Sequence, residues 1–393
     1  MLKIRRLEGE EQREADLIWL QAFERGTRSQ LQGLDAYRER FAYRIVRFGL
    51  WDSVGLQATF EMVNSSLHFG PEAILPTGYI SSIACLPASR GRGYGGAGLK
   101  HLLEHMRDAG QVLSTLFPFS FDYYRRFGWE WISPSRGYKV PTRILRSDPE
   151  TEHVRTAAQE DRSGIKAMYR QFAGGYRGMV ARDDIQWDYM LNDRKEHFTY
   201  TYLYEREGKI EGYLVYRGGK EEETWLPEFL TLTPRAQRAL LGLLKRHEMQ
   251  VRKFAWKAPE DDGLWSQCFH KEMETSVWTS LQGRVVDVVG ALRAWRPDPA
   301  VRGTLILGIQ DPCAPWNQGT WKVAFEEGNV SVYATKEESQ VRMDIQAFSQ
   351  ALFGVPTVAV LRKQERMQVS EEAGYLALCR LLVGPPMWTD ANF

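Results

Sequence analysis

Helical spacing of apolar residues comes first along this chain. Over residues 8–48, Ile18, Ala22 and Phe23 share a face and Leu34, Tyr37, Phe41 and Ile45 continue it, which predicts helix throughout. Strand-like runs follow at 55–62 and 78–85, broken by Pro71, Pro76 and Gly78. Residues 93–109 return to helix, with Leu99, Leu102, Leu103 and Met106 on one face and Gly110 as the stop. A short buried strand at 112–117 ends at Pro118, and 123–131 reads as a turn or short helix leading back into a strand.

The order then restarts. The chain turns polar near 146–152, around Pro149. Helical patterns at 164–172 and 185–190 precede a hairpin, 197–205 with 209–217, folded at Gly208. A strand-like run at 225–231 and a leucine-rich helix at 234–247 complete the second pass. Its strand-to-helix turn, Thr233-Pro234-Arg235-Ala236-Gln237-Arg238, has none of the glycines of the first. An internal duplication is expected, whose second copy has lost close backbone approach to a ligand and kept a structural role. From residue 282 the texture changes to strands at 304–309, 320–326 and 330–334, with a turn at Glu327-Gly328-Asn329 and helices near 345–353 and 371–382. Three domains are expected, 1–148, 149–283 and 284–393, in an α/β (α+β) fold.

Composition narrows the function classes. The 393 residues are 43% apolar and 26% charged, and no apolar run approaches the ~20 residues that span a bilayer. A net charge of +1 gives no reason to expect nucleic acid or an anionic membrane as partner. The opening residues, Met1-Leu2-Lys3-Ile4-Arg5-Arg6, do not form the apolar segment of a signal peptide. The four cysteines stand far apart, in no metal spacing, so reduced thiols and a cytoplasmic location are expected. The 13 Trp and 17 Tyr point to large aromatic cores before a specialised ring-lined pocket. His101 and His105 share a helical face, but no third ligand is apparent, so they are expected to be exposed surface histidines and no metal is expected.

The candidate chemistry sits at Arg90-Gly91-Arg92-Gly93-Tyr94-Gly95-Gly96. Such a turn places bare backbone N–H groups at a helix N-terminus, a seat for pyrophosphate, with two arginines beside it. The glycines satisfy the dinucleotide fingerprint literally. However, Leu86-Pro87-Ala88-Ser89 separates them from the strand, and no acidic residue follows near 116. No Lys-Ser/Thr follows them either, so the Walker pattern fails. A tight turn without a ligand is the bland alternative.

The segment resembles motif A of the GCN5-related N-acetyltransferases, Arg/Gln-x-x-Gly-x-Gly/Ala, in Arg90-Gly91-Arg92-Gly93-Tyr94-Gly95. Downstream, Tyr124-Arg125-Arg126-Phe127-Gly128-Trp129 is similar to the Tyr-x-Arg-Phe-Gly-Tyr/Trp signature of the enhanced intracellular survival (Eis) branch. That branch has about this length and the same layout. It carries tandem acetyltransferase domains, the second degenerate, and then a sterol-carrier-protein-like domain. The resemblance implies acetyl-CoA as co-substrate, with Arg90 to Gly96 at its pyrophosphate, Ile83, Ala84 and Cys85 along the pantetheine arm, and Ser120 among the cofactor contacts. It implies Tyr124 as general acid and the terminal carboxylate of Phe393 as proton acceptor. It further implies a homo-oligomer, a hexamer, and as acceptor the primary amine of a small cationic molecule, aminoglycoside- or polyamine-like. A protein lysine or N-terminal acetyltransferase, or a non-catalytic acyl-CoA or lipid-binding protein, remain alternatives. Against the family pattern, the span 49–78 reads as irregular, so the walls of the substrate pocket do not carry over.

Overall fold

The computed structural model describes residues 2–23, 27–192, 198–217, 222–264 and 270–389. After β1 (Lys3–Arg6), the helical pattern of the N-terminal stretch resolves into α1 (Glu11–Ala22) and α2 (Arg28–Phe41). The pattern fails at Ile45, which opens β2 (Ile45–Trp51) instead of continuing the helix. There the β-branched pair Ile45-Val46 finds a sheet partner, pairing with Val63 and Met62. The span expected to be irregular is a long antiparallel hairpin of β3 (Leu56–Phe69) and β4 (Ile74–Cys85). Pro76 does not break β4. Its neighbour β5 (Leu113–Leu116) begins pairing only at Thr77, so no ladder donor is needed from the proline on that side. Between β4 and β5 runs α3 (Tyr94–Asp108), which buries Leu99, Leu102, Leu103 and Met106 as its spacing predicts. Then α4 (Phe121–Arg125) leads into β6 (Glu130–Pro141).

The second copy follows with β7 (Val154–Thr156), α5 (Arg162–Ala173), β8 (Arg177–Val180), α6 (Asp184–Leu191), β9 (Thr199–Arg206) and β10 (Lys209–Arg217). Positions 193–197, the start of the expected hairpin, lie outside the described residues. The strand expected at 225–231 is two pieces, β11 (Thr224–Trp225) and β12 (Glu228–Thr231), before α7 (Pro234–Lys245) and β13 (Lys253–Ala258). A strand that the periodicity did not reveal, β14 (Glu274–Val285), closes this part.

That strand joins the copies. The large sheet runs β1-β2-β3-β4-β5-β14-β6-β13-β11, with β8 attached to β3. Thus β14 lies between β5 and β6, and β6 reaches across to β13. A smaller sheet, β12-β10-β9-β7, stands beside it. The third region packs α8 (Val288–Ala294), α9 (Ile345–Phe353), α10 (Val358–Lys363) and α11 (Glu372–Leu382) on a five-stranded sheet. That sheet is ordered β17 (Asn329–Ala334), β16 (Gly319–Glu326), β15 (Gly303–Gln310), β18 (Val341–Asp344) and β19 (Met367–Val369). Its core is continuous with Leu67, Phe69 and Leu113 of the first copy. The mixed α/β fold of two related units and a terminal α+β unit is as expected from the sequence. Among the described residues, no helix is long and apolar enough to cross a membrane.

Candidate active site

Strands β4 and β5 run parallel and pair from Thr77 to Ile80, where β5 ends at Leu116. Beyond that point β4 continues to Cys85, held on its other edge by β3. Ser81 is the extra residue of a bulge, since Glu61 faces Ser82 while Met62 faces Ile80. A bulge re-aims a strand and interrupts its ladder. Among the described residues, the far half of β4 therefore has no strand partner on its β5 edge.

The glycine turn faces this opening. Gly91 and Gly93 adopt positive φ, +80° and +83°, and a Cβ at either would meet nothing within 4 Å. The turn is thus built for its backbone shape, with open space in front of it. Gly93 is the N-cap of α3 and supplies no side-chain acceptor, and the helix ladder starts only at the Ala97 amide, which donates to the Gly93 carbonyl. The amides of Tyr94, Gly95 and Gly96 are therefore open donors at the positive end of the helix dipole. The next glycines have a different cause. A Cβ on Gly95 would strike the Tyr123 hydroxyl at 2.2 Å, and one on Gly96 the Phe127 ring at 2.7 Å. They let the aromatic hook after β5 close onto the helix.

In front of the turn lies a cavity of about 1020 Å³, walled by Ile83, Cys85, Arg90, the residues 93–97, Phe119, Tyr123 and Phe127. Lys100 and Arg126 line it too, so with Arg90 three cations among the described residues face the space. The sequence reading missed Lys100 and Arg126. Lys100 follows Gly96 by one helical turn, a spacing that could have signalled it. Ile83 and Cys85 line the cavity, whereas the Ala84 methyl, on the opposite face of the strand, packs with Leu7, Ala15 and Ile18. The Cys85 thiol is pushed up by burial, against the lowering influence of Arg90 and Arg92. Arg92 is exposed and outside the cavity lining, and Tyr94 donates its hydroxyl hydrogen bond to Asp52 at 2.9 Å. Ser120 is also outside the lining. It is the N-cap of α4, accepting from the Tyr123 amide at 3.3 Å.

Tyr124 sits on α4, 4% exposed, with its ring 5.3 Å from Phe119 and 5.2 Å from Tyr123, both of which wall the cavity. Burial, and then the neighbouring Tyr123, push its phenol well above the ordinary tyrosine range. The α4 hook is held from behind. Gln346 donates to the Arg125 carbonyl at 2.9 Å, the Cys313 thiol to that of Arg126 at 3.7 Å, and Arg284 to that of Phe127. Arg125 itself forms a two-point pair with Glu130, at 2.7 and 3.0 Å. Asp122, beside it, is exposed and paired with Arg125. Phe393 lies outside the described residues.

A second cavity, about 340 Å³, touches the other side of the bulge at Ser81 and Ser82. Its walls come from α2 and α6, and Tyr79, which lines it, has Tyr37, Glu61 and Tyr124 as electrostatic neighbours. His101 and His105 are not free surface groups. Both are half-buried edge-on against Phe48, at 4.8 and 5.0 Å, and burial lowers their basicity.

Among the described residues, the strand-to-helix turn of the second copy is not an equivalent anion seat. There Pro234 has no N–H, Thr233 caps the Ala236 amide at 3.2 Å, and Arg235 is paired with Glu211. The expectation that this copy lost its ligand turn has a structural basis in these consumed donors.

Residues 3–132 match the family model of an acetyltransferase (GNAT) domain, 178–285 a second GNAT model, and 288–389 a sterol carrier protein domain. An uncharacterized N-acetyltransferase of Streptomyces avermitilis is 22% identical over 335 residues, 78% of this chain and 79% of that protein. Among solved structures, a GCN5-related N-acetyltransferase from Anabaena variabilis superposes with a TM-score of 0.89 at 19% identity, covering 99% of both chains. Eis1 from Mycobacterium abscessus superposes with a TM-score of 0.79, also at 19% identity, covering 100% of both.

Proposed function

We propose that this chain, with two segments matching acetyltransferase (GNAT) domain models and a third matching a sterol carrier protein domain, uses its first domain to transfer acetyl from acetyl-CoA to the primary amine of a small cationic molecule. The observation that carries this reading is the glycine turn. It combines open amides at the α3 N-terminus, empty space where side chains would stand, and Arg90, Lys100 and Arg126 around it. A polyanionic carrier of coenzyme A's kind fits this donor set. GNAT domains imply acetyl-CoA as the co-substrate, which supplies an activated thioester.

In this reading the edge of β4 beyond its pairing with β5 aligns the pantetheine arm, and its amides near Ile83 donate to the carbonyl oxygen as it gains charge. The amine attacks from the Ser81–Ser82 side. The C–N bond forms, the C–S bond breaks, the nitrogen loses a proton and the sulfur takes one. Tyr124, packed behind the cavity walls Phe119 and Tyr123, is assigned to donate to the sulfur. With a phenol raised by burial, it acts first as a hydrogen-bond donor and passes its proton only as the thiolate forms. The proton from nitrogen goes to the Phe393 carboxylate, directly or through water. Support for this last step is directional. Residues 386–388 run parallel to β8, with Arg177 donating to the Pro386 carbonyl and Trp388 to that of Arg177, toward Arg182 and Gln186 of the second cavity.

Thiol release from acetyl-CoA with a panel of primary amines tests the reading. Amine-dependent release is expected, and it should fall about tenfold or more when Phe393 is deleted. Absence of release with every amine, from protein that binds acetyl-CoA, would exclude acetyl transfer to amines.

A further inference from the structure

Resting on that reading, we infer that the acceptor is a primary arylalkylamine carrying an oxygen on its ring, held in the second cavity with its amine at Ser81–Ser82. At about 340 Å³ the cavity is at the small end of ligand pockets, which span roughly 300–1,000 Å³. It suits one ring and a short chain, not a trisaccharide. Rings dominate its walls. Tyr37 and Phe41 meet at 5.0 Å, Phe41 and Tyr189 edge-on at 5.5 Å, and Tyr79 joins them from β4. Such walls favour a flat aromatic body by stacked and edge-on contacts.

Charge points the same way. A polyamine or aminoglycoside needs several free carboxylates. Among the described residues the cavity's one carboxylate is Glu61, which is 5% exposed and bound by Arg38 at 2.9 Å and Arg47 at 3.3 Å. The same arginines also hold Asp16, so the cluster is neutral. The cavity's cation, Arg182, is paired with Glu228. Glu61 also accepts from the Ser81 hydroxyl at 2.9 Å, orienting that side chain where the amine would enter. The oxygen on the ring is argued from Gln186. It is 6% exposed, its carbonyl accepts from the Asp183 amide at 3.1 Å, and its amide nitrogen has no partner among the described residues. A buried donor left unpaired is costly, and a ligand oxygen would satisfy it.

Calorimetric binding to the full chain, with coenzyme A present, uses tyramine, 2-phenylethylamine, spermidine and kanamycin as probes. Tyramine is expected to bind about tenfold or more tighter than spermidine or kanamycin, and several-fold tighter than 2-phenylethylamine. Tyr189→Leu should remove the first preference and Gln186→Met the second, each with an unchanged acetyl-CoA affinity and a melting curve that certifies folding. Spermidine or kanamycin binding as tightly as tyramine overturns the inference, as does a tyramine affinity indifferent to Tyr189→Leu. Thiol release separates the two levels. Tight tyramine binding with no release from any amine leaves the cavity's ligand class standing and removes acetyl transfer, whereas release with spermidine alone does the reverse.

Discussion

At the scale of single residues, Tyr124 and the two positive-φ glycines have the clearest assignments. The phenol is raised by burial, so it stays protonated across the working range, and its loss by ionisation falls above the ordinary value of about 10. Tyr124→Phe is expected to lower kcat about tenfold or more while acetyl-CoA affinity is kept. In the wild type, kcat/KM should rise with pH as the amine loses its proton and show no phenol-linked fall up to about pH 10. A descending limb below pH 9 that disappears in Tyr124→Phe would show instead an acid with an ordinary phenol. The residues were unequally legible. Gly91 and Gly93 are evident in sequence because only a backbone need explains them. Gly95 and Gly96 looked equivalent, yet their absent side chains make room for Tyr123 and Phe127. Ala84 and Cys85 are adjacent in sequence and face opposite sides of β4, which the alternation of a strand predicts once the strand is placed.

At the scale of elements, the short helix α4 is the part that most needs outside help. Five residues supply little helical stability of their own. Its trailing carbonyls are instead taken by Gln346, Cys313 and Arg284, so the third region and β14 set the position of Tyr124. Arg284 is fully buried, paired with Asp311 at 2.5 Å, and Asp311 in turn accepts from Asn317 at 2.9 Å. Gln346→Ala should therefore reduce kcat several-fold and leave the KM for acetyl-CoA in place, because it touches neither cavity. Arg284→Ala strands a buried carboxylate and should cost about 3–5 kcal/mol of stability in a denaturant melt. An unaltered kcat in Gln346→Ala would mean that the hook needs no support from the third region. No sequence pattern announced this clamp, since its partners are 157 to 221 residues apart along the chain.

For the whole molecule, the decisive feature is that the two copies share one sheet. β14 supplies the strand between β5 and β6, and β6 pairs onward with β13. Residues 1–148 alone would leave β5 and β6 without their common neighbour and expose a hydrophobic seam between them. That fragment is expected to show no cooperative thermal transition, in contrast to the full chain. A sharp melt by circular dichroism would show that the first unit closes its own sheet. The second cavity depends on the same assembly, because α2 comes from the first copy and α6 from the second.

The sequence by itself determined the glycine turn, the amphipathic α3 behind it, the duplication and the α+β end, because each rests on local backbone geometry or on periodic burial within one element. It misread 45–48 as helix and 49–78 as irregular, because a strand's identity depends on the neighbour it pairs with more than on its own propensity. Only the tertiary structure decided which cations face the anion seat, what holds α4, how β14 is inserted, and that Glu61 is neutralised within a ring-lined pocket. All of these are contacts between segments distant in the chain, and their energies exist only after the chain has closed on itself.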